Sequence, residues 1–212
     1  MLTNFKETFP VLWKTKFTEM KGRTLLALSI FSTTFLSFTP LTKKYIVIDA
    51  GHGGNDLGAV YGNFSEKDIS LSIATEIQKL NKGQEKYDVI LTRDSDTYPS
   101  LSERAAQINK LNPEMVISLH VNRSPQEETT NQGTEVFIQK SEASKVLAEK
   151  ISQKFNARKI EERNLHILRE TKAPAVLVEL GFINNSVDRN YITSEKGQKE
   201  IAKKFIEVFN EY

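Results

Sequence analysis

Val47-Ile48-Asp49-Ala50-Gly51-His52-Gly53-Gly54 carries an apolar strand directly into a loop rich in glycine, and it delivers a histidine where the chain leaves that strand. The strand reads from Tyr45 to Asp49. The loop runs over residues 50–65 and holds Gly51, Gly53, Gly54, Gly58 and Gly62. A loop of this length inside a compact domain is usually functional. Its glycine spacing is not Gly-x-Gly-x-x-Gly, and a histidine stands where a phosphate would need close backbone approach, so the stretch is not read as a dinucleotide site.

Outward from this loop, short apolar runs alternate with amphipathic stretches. That pattern predicts an α/β fold, a single catalytic domain with a mostly parallel or mixed twisted sheet and helices on both faces. A helix is expected from Glu66 to Leu80, with Ile69, Ile73, Ile77 and Leu80 on one side, Ser65 as its cap and Asn81-Lys82-Gly83 as its stop. A strand over Asp88–Thr92 leads to the turn Arg93-Asp94-Ser95-Asp96. Pro99–Leu111 reads as a helix with Leu101, Ala105 and Ile108 inward, and Pro113 separates it from the strand Met115-Val116-Ile117-Ser118-Leu119-His120. Thr134–Gln139 alternates as a strand does, and a helix over Glu142–Arg158 aligns Leu147, Ile151 and Phe155. Leu165–Leu168 is expected as a short strand and Ala175–Glu179 as the last one. Ser194–Asn210 closes the chain as a helix burying Ile201, Phe205 and Val208. Polar residues fill 122–132, and no internal repeat is visible.

In an open parallel sheet, ligands gather beyond the carboxyl ends of the strands. His52 follows the first strand, His120 and Glu179 end two others, and Glu66 opens the helix reached by the long loop. All four are therefore expected at one edge. Two imidazoles and a carboxylate form a zinc set that leaves the fourth position open, the arrangement of catalytic rather than structural zinc. Taken singly, each has a plainer reading: an acid in the first turn of a helix complements its dipole, and His120 fits a satisfied core histidine. Glu179 follows four apolar residues, where a carboxylate is costly unless paired.

These blocks, IDAGHGGNDLGAV, Glu66-Lys67-Asp68, LTRDSD with LSERAAQIN, SLHVN and PAVLVELGFINN, resemble in residue and order the zinc-dependent N-acetylmuramoyl-L-alanine amidases, the third amidase family of cell-wall hydrolases. The resemblance runs from about Tyr45 to the C-terminus. It implies that His52, Glu66 and His120 bind Zn2+ and that Glu179 serves in catalysis, on the amide between N-acetylmuramic acid and the L-alanine of a peptidoglycan stem peptide. Arg93, Asp94 and Arg104 match the family pattern and are read as structural ties. Asn122 and Arg169 lie near site-bearing strand ends and are candidate substrate contacts, and His166 is read as a loop or packing residue. Two rival readings are a zinc exopeptidase, for which Arg169 is the candidate carboxylate binder, and a non-catalytic zinc-containing wall-binding domain. Val121–Ser141 is too short for an inserted inhibitory helix, so no protein activator is expected.

Composition narrows the rest. The chain has 212 residues and no cysteine, which excludes thiolate chemistry and disulfides. Its net charge of +2 comes mostly from residues 1–40, leaving residues 43–212 without the basic face that nucleic acid demands. Residues 25–38 form an uncharged, mostly apolar run behind Lys21-Gly22-Arg23, and Met20 makes an ordinary signal start. At 14 residues the run is shorter than the ~20 that span a bilayer. Residues 1–40 are therefore expected to be a signal peptide or membrane anchor, exporting a zinc amidase domain of residues 43–212 to the periplasm or cell envelope.

Overall fold

Strand β1 (Lys44–Ala50) turns Ile46, Ile48 and Ala50 to one apolar layer and Val47 to another. Successive side chains of a strand point to opposite faces, so an unbroken apolar run belongs to a strand covered on both sides. The computed structural model describes residues 44–212. It continues through a small antiparallel hairpin, β2 (Val60–Tyr61) and β3 (Phe64–Ser65), into α1 (Glu66–Asn81), β4 (Tyr87–Leu91), α2 (Leu101–Leu111) and β5 (Met115–Asn122). The second half is β6 (Glu135–Ile138), α3 (Glu142–Phe155), β7 (Lys159–Glu162), α4 (His166–Glu170), β8 (Ala175–Phe182), α5 (Ser186–Thr193) and α6 (Glu195–Glu211).

Six of these strands form one mixed sheet in the order β4-β1-β5-β8-β6-β7. The first four are parallel, β6 runs against β8, and β7 follows β6. One face is thickly covered. Ile69, Ile73 and Ile77 of α1, Leu147 and Ile151 of α3, and Ile201, Phe205 and Val208 of α6 are buried there, each such side chain contributing roughly 1.5–3 kcal/mol by leaving water. The opposite face carries a smaller layer, in which Ile108 of α2, Ile167 and Leu168 of α4 and Ala173 are buried with Val47, Val116, Phe137, Ala175 and Leu177. That thinner cover leaves the carboxyl end of the sheet accessible.

Local signals set the helix ends. Ser65 accepts from the Asp68 N–H at the start of α1, and Ser100 with Glu103 makes a reciprocal capping box on α2. Several expectations change. Leu165–Leu168 is not a strand: its last residues lie in α4, a short apolar run that periodicity does not distinguish from a helix. Helix α3 stops at Phe155 because Asn156 turns left-handed. Leu101 begins its helix with its side chain 51 % exposed. Strand β7 and helix α5 are additions to the sequence reading. The expected signal or anchor of residues 1–40 lies outside the described residues. No described helix is long and apolar enough to cross a membrane.

Candidate metal centre and active site

Strand register brings the site together. On β5, Met115, Ile117, Leu119 and Val121 belong to the thickly covered face, which turns Val116, Ser118 and His120 the other way. His120 is paired with Glu179 of β8, and Glu179 in turn with Glu135 of β6. An imidazole and two carboxylates thus stand in one row across three strands, where neighbouring strands are ~4.8 Å apart. The β5–β8 register slips between His120 and Asn122, an irregularity of the kind that re-aims side chains beside active sites.

Glu66 is the hub. Its Oε1 lies 3.0 Å from His52 Nε2 and 2.8 Å from His120 Nδ1. It also accepts the Val121 N–H at 3.0 Å, while Oε2 accepts the Ala59 N–H at 2.7 Å. The two rings meet edge to face with centroids 5.0 Å apart. One donor atom from each of the three residues falls within 4.8 Å of the others, the one such group of metal-ligating side chains among the described residues. His52 Nδ1 lies 2.9 Å from Asp56 Oδ2, so a carboxylate holds the far side of the ring and leaves Nε2 for the cluster. The sequence reading passed over Asp56; its place four residues after the histidine, in the same loop, is the signal that was there.

The loop is built to let these rings approach. A Cβ on Gly51 would stand 2.5 Å from His120 Cε1, and one on Gly58 2.5 Å from Glu66 Oε2. His52 itself takes a left-handed φ of 59°, uncommon for a non-glycine residue. Two arginines hold that conformation. Arg93 donates to the carbonyls of Ala50, Gly51 and Lys67, and Arg104 to those of Ala50, His52 and Pro99. Arg104 also meets buried Asp49 at 2.8 Å. These are the ties expected of Arg93 and Arg104; Asp94 lies exposed in its turn.

Electrostatics follow from the packing. Burial would lower the His52 pKa, but hydrogen bonds and attraction from Glu66 and then Asp56 prevail and raise it to about 9. Burial likewise disfavours charge on His120, and Glu66 outweighs it, holding that pKa above the ordinary value. For Glu66, burial acts upward and the two imidazoles act downward more strongly, so its carboxyl stays ionised. Glu179 goes the opposite way. Burial pushes it up to about 7, His120 pulls it down, and the Glu66 and Glu135 charges raise it. Its Oε2 is buried without a hydrogen-bond partner among the described residues, an expensive state for a carboxylate.

A cleft of about 560 Å³ opens over the row, lined by His52, Glu66, His120, Asn122, Glu135 and Glu179 among others. Asn122 thus sits within it, its amide donating to Glu135 at 3.2 Å. Arg169 does not line this cleft. It borders a neighbouring one and bonds Glu170, Asn164 and His166. Arg123, which the sequence reading did not single out, does line the cleft.

Relatives agree with this geometry. The profile of the family described as N-acetylmuramoyl-L-alanine amidase matches residues 46–210. The germination-specific N-acetylmuramoyl-L-alanine amidase of Bacillus subtilis is 29 % identical over 185 residues, covering 77 % of this chain and 77 % of its own. Among solved structures, the catalytic domain of the amidase CwlV from Bacillus (Paenibacillus) polymyxa superposes with a TM-score of 0.75 at 33 % identity, covering 80 % of this chain and 97 % of its own. An N-acetylmuramoyl-L-alanine amidase from Clostridium difficile 630 gives 0.77 at 31 %, covering 80 % and 96 %. Nothing in these matches favours the exopeptidase or the non-catalytic wall-binding reading. A cluster of two imidazoles and a carboxylate at the carboxyl edge of such a sheet, with the profile spanning most of the chain, makes this protein a hydrolase of the N-acetylmuramoyl-L-alanine amidase family.

Proposed function

We propose that His52 Nε2, His120 Nδ1 and Glu66 hold one Zn2+ ion and that Glu179 is the acid–base group that completes hydrolysis of the amide between N-acetylmuramic acid and L-alanine. The donor set supports zinc, being two imidazole nitrogens and a carboxylate oxygen with no thiolate. When bound there, the ion supplies Lewis acidity to a water molecule and to the amide carbonyl. The rest falls to the chain. Asp56 keeps His52 in the tautomer whose Nε2 is a free lone pair. Glu66, fixed by two backbone N–H groups, carries the negative charge that keeps a dication in a partly apolar edge.

The observation that carries the assignment of Glu179 is its unpartnered, buried Oε2 in register with His120. Without a cation the carboxyl is poised near neutrality, and a dication nearby favours its ionised form. Oε2 then takes the proton of the attacking water and returns it to the amide nitrogen as the L-alanine leaves. Replacing Glu179→Gln removes that proton acceptor and preserves shape. The variant is expected to retain zinc and to lose about 10²- to 10⁴-fold in release of stem peptides from purified sacculi; full activity would overturn the role of Glu179.

Asn122 supports a substrate contact by its place in the cleft, and Arg169 through its neighbouring position on α4. Peptidoglycan as substrate is consistent with residues 25–38 acting as an export signal or anchor toward the periplasm or cell envelope, which fractionation of the expressed full chain tests. The connection from Asn122 to Glu135 contains no helix, which supports activity without an activating partner. Strong stimulation by a second protein would contradict that.

A further inference from the structure

Two clefts flank the paired imidazoles, and their chemistry differs. His52, His120, Leu165 and Leu177 line both. Both carry charged groups, but in the smaller these are spent on each other and on the site: Asp49 pairs with Arg104 at 2.8 Å and Asp56 with His52 at 2.9 Å. Of the larger cleft's cations, Lys159 pairs with Glu135 at 3.4 Å and Glu161 at 3.2 Å, and Arg163 pairs with Glu161 at 2.7 Å. Arg123 is exposed, and its guanidinium has no partner among the described residues. A cation left unpaired on the lining of a cleft is available to a carboxylate arriving with the substrate.

The smaller cleft, of about 250 Å³, is bordered by Tyr98, Leu101, Leu165, His166 and Ile167. Tyr98 and Leu101, on its border, are 55 % and 51 % exposed and so offer apolar surface to a ligand. Arg169 Nη2 lies 3.2 Å from His166 Nδ1. A guanidinium only donates, so Nδ1 accepts and the ring proton of neutral His166 sits on Nε2. That Nε2–H is buried and has no partner. A cleft whose charged groups are already paired and which keeps one orphaned donor suits an uncharged ligand that brings its own acceptor.

The amidase substrate has two halves that match. Its N-acetylated sugar is neutral, with apolar ring faces and an acetamido carbonyl; its peptide carries carboxylate. Resting on the amidase reading above, we infer that the substrate crosses the site in a fixed direction. The sugar lies against Tyr98 with its acetamido carbonyl accepting from His166 Nε2–H, and the peptide leaves past Arg123, whose guanidinium takes a peptide carboxylate. Arg169 is then a positioning residue, acting through the tautomer of His166.

The experiment compares kcat/KM on two pairs of soluble muropeptides, N-acetylated against N-deacetylated at the muramoyl sugar, and free against amidated at the peptide carboxylate. Arg123→Gln is expected to reduce the preference for the free carboxylate about tenfold, the range of a charge-assisted hydrogen bond, and to leave the acetyl preference alone. His166→Phe is expected to do the reverse. Arg169→Ala moves the acetyl preference the same way by less, and it decides the matter if the phenylalanine variant fails to fold. Damage that is merely structural scales all four substrates together and moves neither ratio; that result, or a crossed pattern, overturns the inference. Failure of the unaltered chain to cleave any of the four overturns the amidase reading instead.

Discussion

Gly51→Ala adds a single methyl group, and the structure says where it lands. Its Cβ would lie 2.5 Å from His120 Cε1, 2.7 Å from His120 Nε2 and 2.8 Å from the Leu119 carbonyl oxygen. Carbon atoms in contact prefer ~3.5 Å or more, so the imidazole must retreat by about 1 Å or β1 and β5 must part. The strands resist, because Gly51 N–H donates to that same Leu119 carbonyl at 3.1 Å. The ring therefore moves, away from Glu66 Oε1. Sites tolerate errors of about 0.5 Å, and displacement by about 1 Å can cost 10²-fold in rate. Overpacking itself costs about 1–3 kcal/mol. The expected variant folds with a lowered Tm, binds zinc at least tenfold more weakly in competition with a chelator, and loses about 10²-fold in kcat/KM on sacculi. Unchanged metal affinity and rate would refute the argument that Gly51 makes room for His120.

Asp56→Ala should weaken zinc binding by about 10- to 100-fold, the usual effect of losing the group that orients a ligating histidine, with Asp56→Asn recovering most of it; competition titration reads this directly. Burial alone would raise the Asp49 pKa, but Arg104 and then the Ser118 and Thr92 hydroxyls hold it below the ordinary carboxylate value. Its contribution to stability is therefore present above the unfolded pKa of about 3.9 and is lost as pH falls through the lower folded value. Asp49→Asn should flatten the acid limb of the stability curve and, by stranding buried Arg104, cost about 3–5 kcal/mol at neutral pH by denaturant melts. Chelation should abolish hydrolysis while leaving the far-ultraviolet circular dichroism unchanged, because the two apolar layers close without the cluster; unfolding on chelation would contradict this.

Much of this arrangement is legible in the chain because its signals are local or periodic. Unbroken apolar runs mark β1, β5 and β8 as strands covered on both faces, and Ser65 marks where a helix starts. His52, Glu66 and His120 stand at element ends that share one edge, but it is the resemblance to the amidase family that implies their role as ligands, and the structure brings them together. What escaped depends on tertiary context. Strand β7, Lys-Ile-Glu-Glu, is an edge strand whose charges blunt its outer side and hide its apolar alternation. Leu165–Leu168 is too short for periodicity to choose between strand and helix. Asp56 and Arg123 carry no pattern at all; one matters through a ring four residues away, the other through a cleft assembled from distant segments.

The uneven roofing of the sheet bears on what kind of molecule can be cut. Over the site, the layer consists of a helix of 11 residues and another of 5, so the cluster faces outward along a margin instead of lying in a closed chamber. A cross-linked mesh offers few loose ends and cannot be threaded through a tunnel or enclosed by a lid. An enzyme whose reactive groups stand along an open rim can meet such a net sideways, straddling a strand at any point along its length.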